Sequence, residues 1–247
     1  MASSAPPDLI TRILRRERLV VAGGVTLLAL LSWLFVLDGA GIGAGTMGAM
    51  HSPPLGTLLI MWWVMMAAMM LPSATPAILL YGRVRDMRNP DPAIAESWVF
   101  LVGYLTVWLL FSLGAATAQW LLVGPSMTLA GRWSGGTVLL VAGLYQLSPL
   151  KAACVRQCRS PAQFISRHWR SGRRGAVRLG VLHGAYCVAC CWMLMVLLFV
   201  GGVMNLLWIA GLTMLVAVEK LAPRGPLFGR LAGVAMIGWG LAELLGY

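Results

Sequence analysis

Charge is what this chain has least of: only 11% of its 247 residues are Asp, Glu, Lys or Arg, and just eight are acidic. Soluble domains carry about 25% charged residues, so an ordinary water-soluble enzyme is excluded. Disorder is excluded as well, because a disordered chain needs low hydrophobicity. Histidine occurs only at His51, His168 and His183, which gives haem ligation weak support. No glycine-rich nucleotide-binding signature, ATP-binding domain, internal repeat or folded soluble domain is evident. The five cysteines all avoid the expected extracytoplasmic loops, so an external disulfide framework has no support.

What is present is apolar. Hydrophobic residues make up 59% of the chain and the mean hydropathy is +0.81. An all-α, polytopic transmembrane helical bundle of about seven spans accounts for the pattern, because the runs are too long and uniform for barrel strands. The expected spans are Leu19–Leu37, Leu55–Tyr81, Trp98–Val123, Ser134–Leu150, Ala176–Val200, Val203–Val218 and Leu227–Leu245. No fixed charge falls between Leu179 and Val218, yet that stretch is too long for one crossing, so a reversal is expected at Gly201-Gly202. The sixth span is short. Pro149 should kink the fourth, since it removes a donor from the carbonyl of Tyr145.

The formal charge of +11 is clustered between the spans, without the continuous basic and aromatic surface that nucleic acid would need. Arg12–Arg18, Arg83–Arg88, Lys151–Arg178 and Lys220–Arg230 fall on one side of the seven-span arrangement, with Arg132 alone on the other. The positive-inside rule then places the N-terminus in the cytoplasm and the C-terminus outside, in a bacterial inner membrane. Anionic lipid is the expected partner of the basic face. Residues 1–18 read as a basic cytoplasmic tail, mobile over 1–11, and 19–247 as one transmembrane domain. The first apolar run has 19 residues and no clear cleavage site follows it, so an uncleaved anchor is expected.

Three groups carry candidate chemistry. On the fifth span, His183, Cys187, Cys190 and Cys191 in "HGAYCVACC" share a helix face roughly 100° wide. Imidazole and thiolate suit Zn(II) or Cu(I), and soft thiolates favour Cu(I). Buried cysteine also packs as a small hydrophobe, but three within five residues beside a histidine favour ligation. Cys154 and Cys158 in "KAACVRQC" form an i,i+4 pair beside Lys151, Arg156 and Arg159, whose charges can balance thiolates. Met61, Met65 and Met69 form an i,i+4,i+8 ladder, with Met66 and Met70 as a neighbouring row. Thioethers bind Cu(I) without losing a proton, although a methionine stripe is more often packing. Met47, Met50 and His51 add an external "MGAMH" loop. Glu219, Lys220 and Glu243 read as interfacial residues at span ends.

The blocks "PPLGTLLIMWWVMMAAMMLPSATPAILLY", "YQLSPLKAACVRQCRSP", "GVLHGAYCVACCWMLM" and "GLTMLVAVEKLAP" resemble, over 53–223, a bacterial family of predicted metal-binding integral membrane proteins of unknown function. The family pattern maps to Leu59, Trp62, Met65, Ala68, Met69, Met70, Pro72 and Ser73. It continues at Lys151, Cys154, Cys158, Arg159 and Pro161, then Gly184, Cys187, Cys190 and Cys191, and ends at Glu219 and Lys220. The resemblance implies membrane location and metal binding without a defined reaction.

The leading expectation is a soft-metal protein that transports Cu(I) or delivers it during metalloenzyme assembly, with zinc as the alternative ion. The methionine ladder would relay, His183 and the three adjacent cysteines would hold the ion, and Cys154 and Cys158 would exchange it. A membrane metalloenzyme or metallochaperone is the expected partner. Two rival classes are a membrane thiol oxidoreductase and a structural subunit with a static metal site. No CxxC pair sits at a helix N-terminus, where a thiol is most readily activated, so a non-enzymatic role is favoured.

Overall fold

A computed structural model describes residues 7–46, 53–88, 94–123 and 131–246, and the described residues are helical almost throughout. The helices are α1 (Pro7–Thr46), α2 (Leu55–Arg88), α3 (Ile94–Ala118), α4 (Arg132–Leu147) and α5 (Pro149–Arg159). They continue with α6 (Pro161–His168), α7 (Gly172–Val196), α8 (Leu198–Gly201), α9 (Leu206–Leu221) and α10 (Gly225–Leu245). A π-helical turn, Gln119–Val123, extends α3. The external Met47, Met50 and His51 group lies outside the described residues. Helix α1 begins at Pro7, so part of the segment read as a tail is helical.

This is an all-α, polytopic membrane bundle. Among the described residues, five helical segments are long and apolar enough to cross a bilayer: Leu19–Gly39, Leu55–Arg88, Glu96–Leu121, Gly172–Gly201 and Gly225–Leu245. A sixth crossing is available if α4 and α5, bent by 62°, act as one span. Helix α9 has 16 residues, about 24 Å at 1.5 Å per residue, short of a 30 Å hydrocarbon core. Large apolar side chains cover the outside, among them Leu30, Leu34, Leu110, Val234 and Leu241. Such a surface needs lipid rather than water around it.

Backbone details follow from identifiable residues. The bend between α4 and α5 falls at Ser148-Pro149, and the Ser148 N–H donates to the Tyr145 carbonyl at 3.0 Å. The proline therefore redirects the chain without leaving that acceptor unsatisfied. Gly202, at φ 95°, closes α8 in a conformation that side-chain-bearing residues avoid. Asn205 then caps α9, its side-chain oxygen accepting from the N–H groups of Leu207 and Trp208. Helix α2 runs through Pro72 and Pro76. Around them the Ser73 and Thr75 hydroxyls bond to the carbonyls of Met70 and Leu71, at 3.0 and 2.8 Å.

Two tight helix pairs frame the bundle. In α3 and α7, a Cβ on Gly103 would stand 2.6 Å from the Val177 carbonyl oxygen. In α4 and α10, a Cβ on Gly143 would stand 2.7 Å from the Gly233 carbonyl oxygen. Small residues thus let the backbones approach, the usual basis of helix association in lipid. Gly114 and Gly238, by contrast, have open space beside them. Between the two pairs, α2, α5 and α9 meet α7 and carry the polar and sulfur-bearing interior.

Candidate metal centre

The centre is built on the middle of α7. His183, Cys187, Cys190 and Cys191 are all buried, as the helical spacing requires of one inward face. The thiols of Cys190 and Cys191 bond back to the Cys187 carbonyl at 3.1 and 2.9 Å. This folds both sulfurs along the helix beside that of Cys187, and the Cys190 thiol also contacts those of Cys187 and Cys191. Across the gap, Met70 of α2 places its Sδ 3.8 Å from Cys191 Sγ.

The second cysteine group arrives from α5. The helix persists to Arg159, so Cys154 and Cys158 share one side, both half-buried and packed against the core. Cys158 packs against the buried core that contains Cys190 and lies within electrostatic reach of it. The two cysteine groups, 29 to 37 residues apart in sequence at their nearest and farthest members, therefore converge on one sulfur cluster.

Lys220 sets the electrostatics of this cluster. Its Nζ donates to Cys187 Sγ at 2.9 Å and to the Ser73 hydroxyl at 3.4 Å. The Tyr104 hydroxyl lies 3.1 Å from the same sulfur. With Lys220 only 7% exposed, its charge has thiols, not water, as its nearest partners. A buried cation needs a compensating anion, and the cysteine sulfurs around Lys220 are the groups placed to supply one. By sequence, Glu219 and Lys220 fall at a span end and are expected at the interface. Both are buried, because the last turn of α9 packs inward against α2, α5 and α7.

Glu219, the preceding residue, belongs to a different group. Its carboxylate accepts from Lys151 Nζ at 3.0 and 2.8 Å, and Gln146 bonds to both Glu219 and Lys151. Arg159 fixes the adjacent turn by donating to the carbonyls of Glu219, Ala222 and Pro223 at 2.6, 2.7 and 3.1 Å.

His183 sits one helical turn before Cys187 inside an aromatic box. Its ring lies 5.4 Å from Phe164, 5.8 Å from Tyr104 and 6.0 Å from Phe100, centroid to centroid. Its Nδ1 is buried without a hydrogen-bond partner. Buried polar atoms are almost always paired, so this nitrogen stands out as a free donor or acceptor. Met65 and Met69 are buried and Met61 is half-buried. The sulfur contact to the cysteines comes instead from Met70, in the neighbouring row. The doubled methionines of "MMAAMM" mark both rows, but only the tertiary packing selects between them.

Among the described residues, no three His, Cys, Asp or Glu side chains are already set as a ligand cage. Cu(I) does not require one, since two or three soft sulfur donors satisfy it, thioethers included. The chain thus defines a class: a helical membrane protein with a buried thiol and thioether cluster held against a lysine. It belongs to the copper chaperone family PpoB2, whose profile matches residues 59–243. That match corrects the resemblance to a family of unknown function. It also extends past residue 223 through most of α10, which the four sequence blocks did not reach. Membership places the chain among copper-handling proteins. No curated protein and no solved structure shows significant similarity to it.

Proposed function

We propose that the protein receives Cu(I) within the membrane and hands it to a metalloenzyme under assembly, without catalysing a reaction of its own. The observation that carries this reading is the approach of Met70, Cys187, Cys190, Cys191 and Cys158 to one another beside Lys220. Cys187 and Cys191 serve as thiolate ligands and Met70 as a neutral third donor. Together with one Cu(I) and the Lys220 ammonium, two thiolates make a neutral group, and Lys220 steadies the thiolates before and after the ion arrives. A divalent ion would need different charge compensation, so the centre favours Cu(I) over Zn(II). His183 can complete the site through its unpartnered nitrogen.

Met61, Met65 and Met69 form the approach. From Met61 to Met70 the rise along α2 is about 14 Å, and the thioethers on that path exchange a soft ion by ligand replacement. Cys154 and Cys158 form the exchange station on α5. The strong one-sided placement of Lys and Arg supports a cytoplasmic N-terminus in a bacterial inner membrane, with α4–α5 and the short α9 completing seven crossings. Reporter fusions after α2, α5 and α10 test that topology. A cytoplasmic signal from the α10 fusion would contradict it.

The metal reading is tested by anaerobic purification in detergent, metal analysis, and competition between Cu(I) and Zn(II). Wild type should retain Cu(I) preferentially. Cys187→Ser should lose it, and Cys154→Ser/Cys158→Ser should slow its release to an acceptor. Unchanged metal content and exchange in both variants would reject the proposal.

The proximity of Cys158 to Cys190 favours one second reading, a dithiol couple exchanging electrons with quinone. Stoichiometric quinone-dependent formation of that disulfide, with no retained copper, would establish it in place of the first.

A further inference from the structure

Lined by none of the cysteines, a cavity of about 520 Å³ lies between the α4–α5 bend and α10. Lys151, Arg156, Arg159 and Arg230 line it against a single carboxylate, Glu219. Two of those cations are already engaged. Lys151 pairs with Glu219, and Arg159 is committed to the carbonyls that end α9. Arg156 and Arg230 are exposed, have no ion-pair partner among the described residues, and face the same cavity from two different helices. The cavity therefore carries two uncommitted guanidiniums over an internally neutralised floor.

The start of α10 contributes little by itself, because the Leu227 and Phe228 N–H groups return to the Arg224 carbonyl. Recognition falls to the arginines, whose planar forks match the oxygens of a phosphate. Nearby surfaces say what else the ligand carries. Leu147, Ala152 and Pro226 line the cavity and are exposed. A free anion makes no use of such a rim. A phosphodiester with acyl chains satisfies both parts: its phosphate enters between the arginines and its chains leave along Leu147, Ala152 and Pro226.

We propose that this cavity is a specific site for the phosphate headgroup of an anionic phospholipid. The site is independent of the copper reading and rests on the membrane fold. Its occupant bridges α5, which carries Cys154 and Cys158, to α10.

The test is native mass spectrometry of the delipidated full chain in a neutral detergent. It is titrated with phosphatidylglycerol, phosphatidylcholine of the same acyl chains, and inorganic phosphate. One phosphatidylglycerol should be retained with at least about fivefold preference over phosphatidylcholine, whose choline ammonium opposes the guanidiniums that hold its phosphate. Arg156→Gln/Arg230→Gln should abolish that preference, while Arg167→Gln/Arg173→Gln, which removes equal charge at exposed positions elsewhere, should keep it. Equal binding of both lipids would overturn the site, as would equal loss in the two double variants. Inorganic phosphate displacing the lipid at comparable concentration would overturn the lipid assignment in favour of a soluble anion. Melting temperatures of all variants in detergent separate loss of binding from loss of fold.

Discussion

Glu219 and Lys220 are neighbours in sequence and lie on one turn of α9, yet they face opposite chemical worlds. Glu219 meets a lysine and a glutamine, and its group is complete: each charged atom has a charged or amide partner. Lys220 meets Cys187 and Ser73, with further cysteines around them, and among the described residues no carboxylate hydrogen-bonds to its ammonium. The first arrangement is closed and structural. The second is an ammonium waiting on anions that only cysteine can provide, and those anions are also soft-metal ligands. The contrast explains how a chain poor in charge can concentrate two of its ions in one helical turn and use them differently.

Breaking the closed side should produce the largest effect on folding. Lys151→Met leaves Glu219 buried without its ammonium, at a cost of about 3–5 kcal/mol. Lys151→Met/Glu219→Leu should recover most of that loss, since replacing both members of a buried pair is often nearly neutral. Thermal unfolding in detergent checks both. A double variant as unstable as the single one would mean that the pair does more than neutralise itself.

On the open side, Lys220→Met should leave the melting temperature nearly unchanged and weaken Cu(I) binding about 10–100-fold, as expected for a group that tunes a ligand without coordinating. Competition with a Cu(I) chelator measures it. Equal losses in stability would make Lys220 a structural residue like Lys151. A smaller effect separates the methionine rows. Met70→Leu should weaken Cu(I) retention several-fold, about 1 kcal/mol, whereas Met69→Leu conserves volume and should alter only the rate of uptake. The smallest expected change is at Cys154. Cys154→Ser should keep equilibrium binding within about twofold, roughly 0.4 kcal/mol on the tenfold-per-1.4 scale, and act on exchange kinetics.

Much of this was legible before the fold. The apolar runs define the bundle, Pro149 marks the bend, Asn205 marks the cap, and the HGAYCVACC face points inward as its period requires. Spacing also places Cys154 and Cys158 on one side. Local pattern could not reveal which methionine row meets α7, because Met69 and Met70 are chemically equal and differ only in azimuth. Nor could it reveal the burial of Lys220. A charged pair at the end of an apolar run looks interfacial until neighbouring helices are seen to enclose it. The same limit affects span counting: α9 is apolar but 16 residues long, and hydropathy cannot say how such a helix sits in the bilayer.

The central claim is that Cu(I) binds to sulfur at the Cys187 cluster, with Lys220 beside it. X-ray absorption of the full chain loaded anaerobically with Cu(I), compared with Cys187→Ser, tests this most directly. One ion per chain is expected, surrounded mainly by sulfur, with the ion lost from the variant. An oxygen- and nitrogen-dominated shell in the wild type, or an unchanged spectrum and stoichiometry in Cys187→Ser, would contradict it.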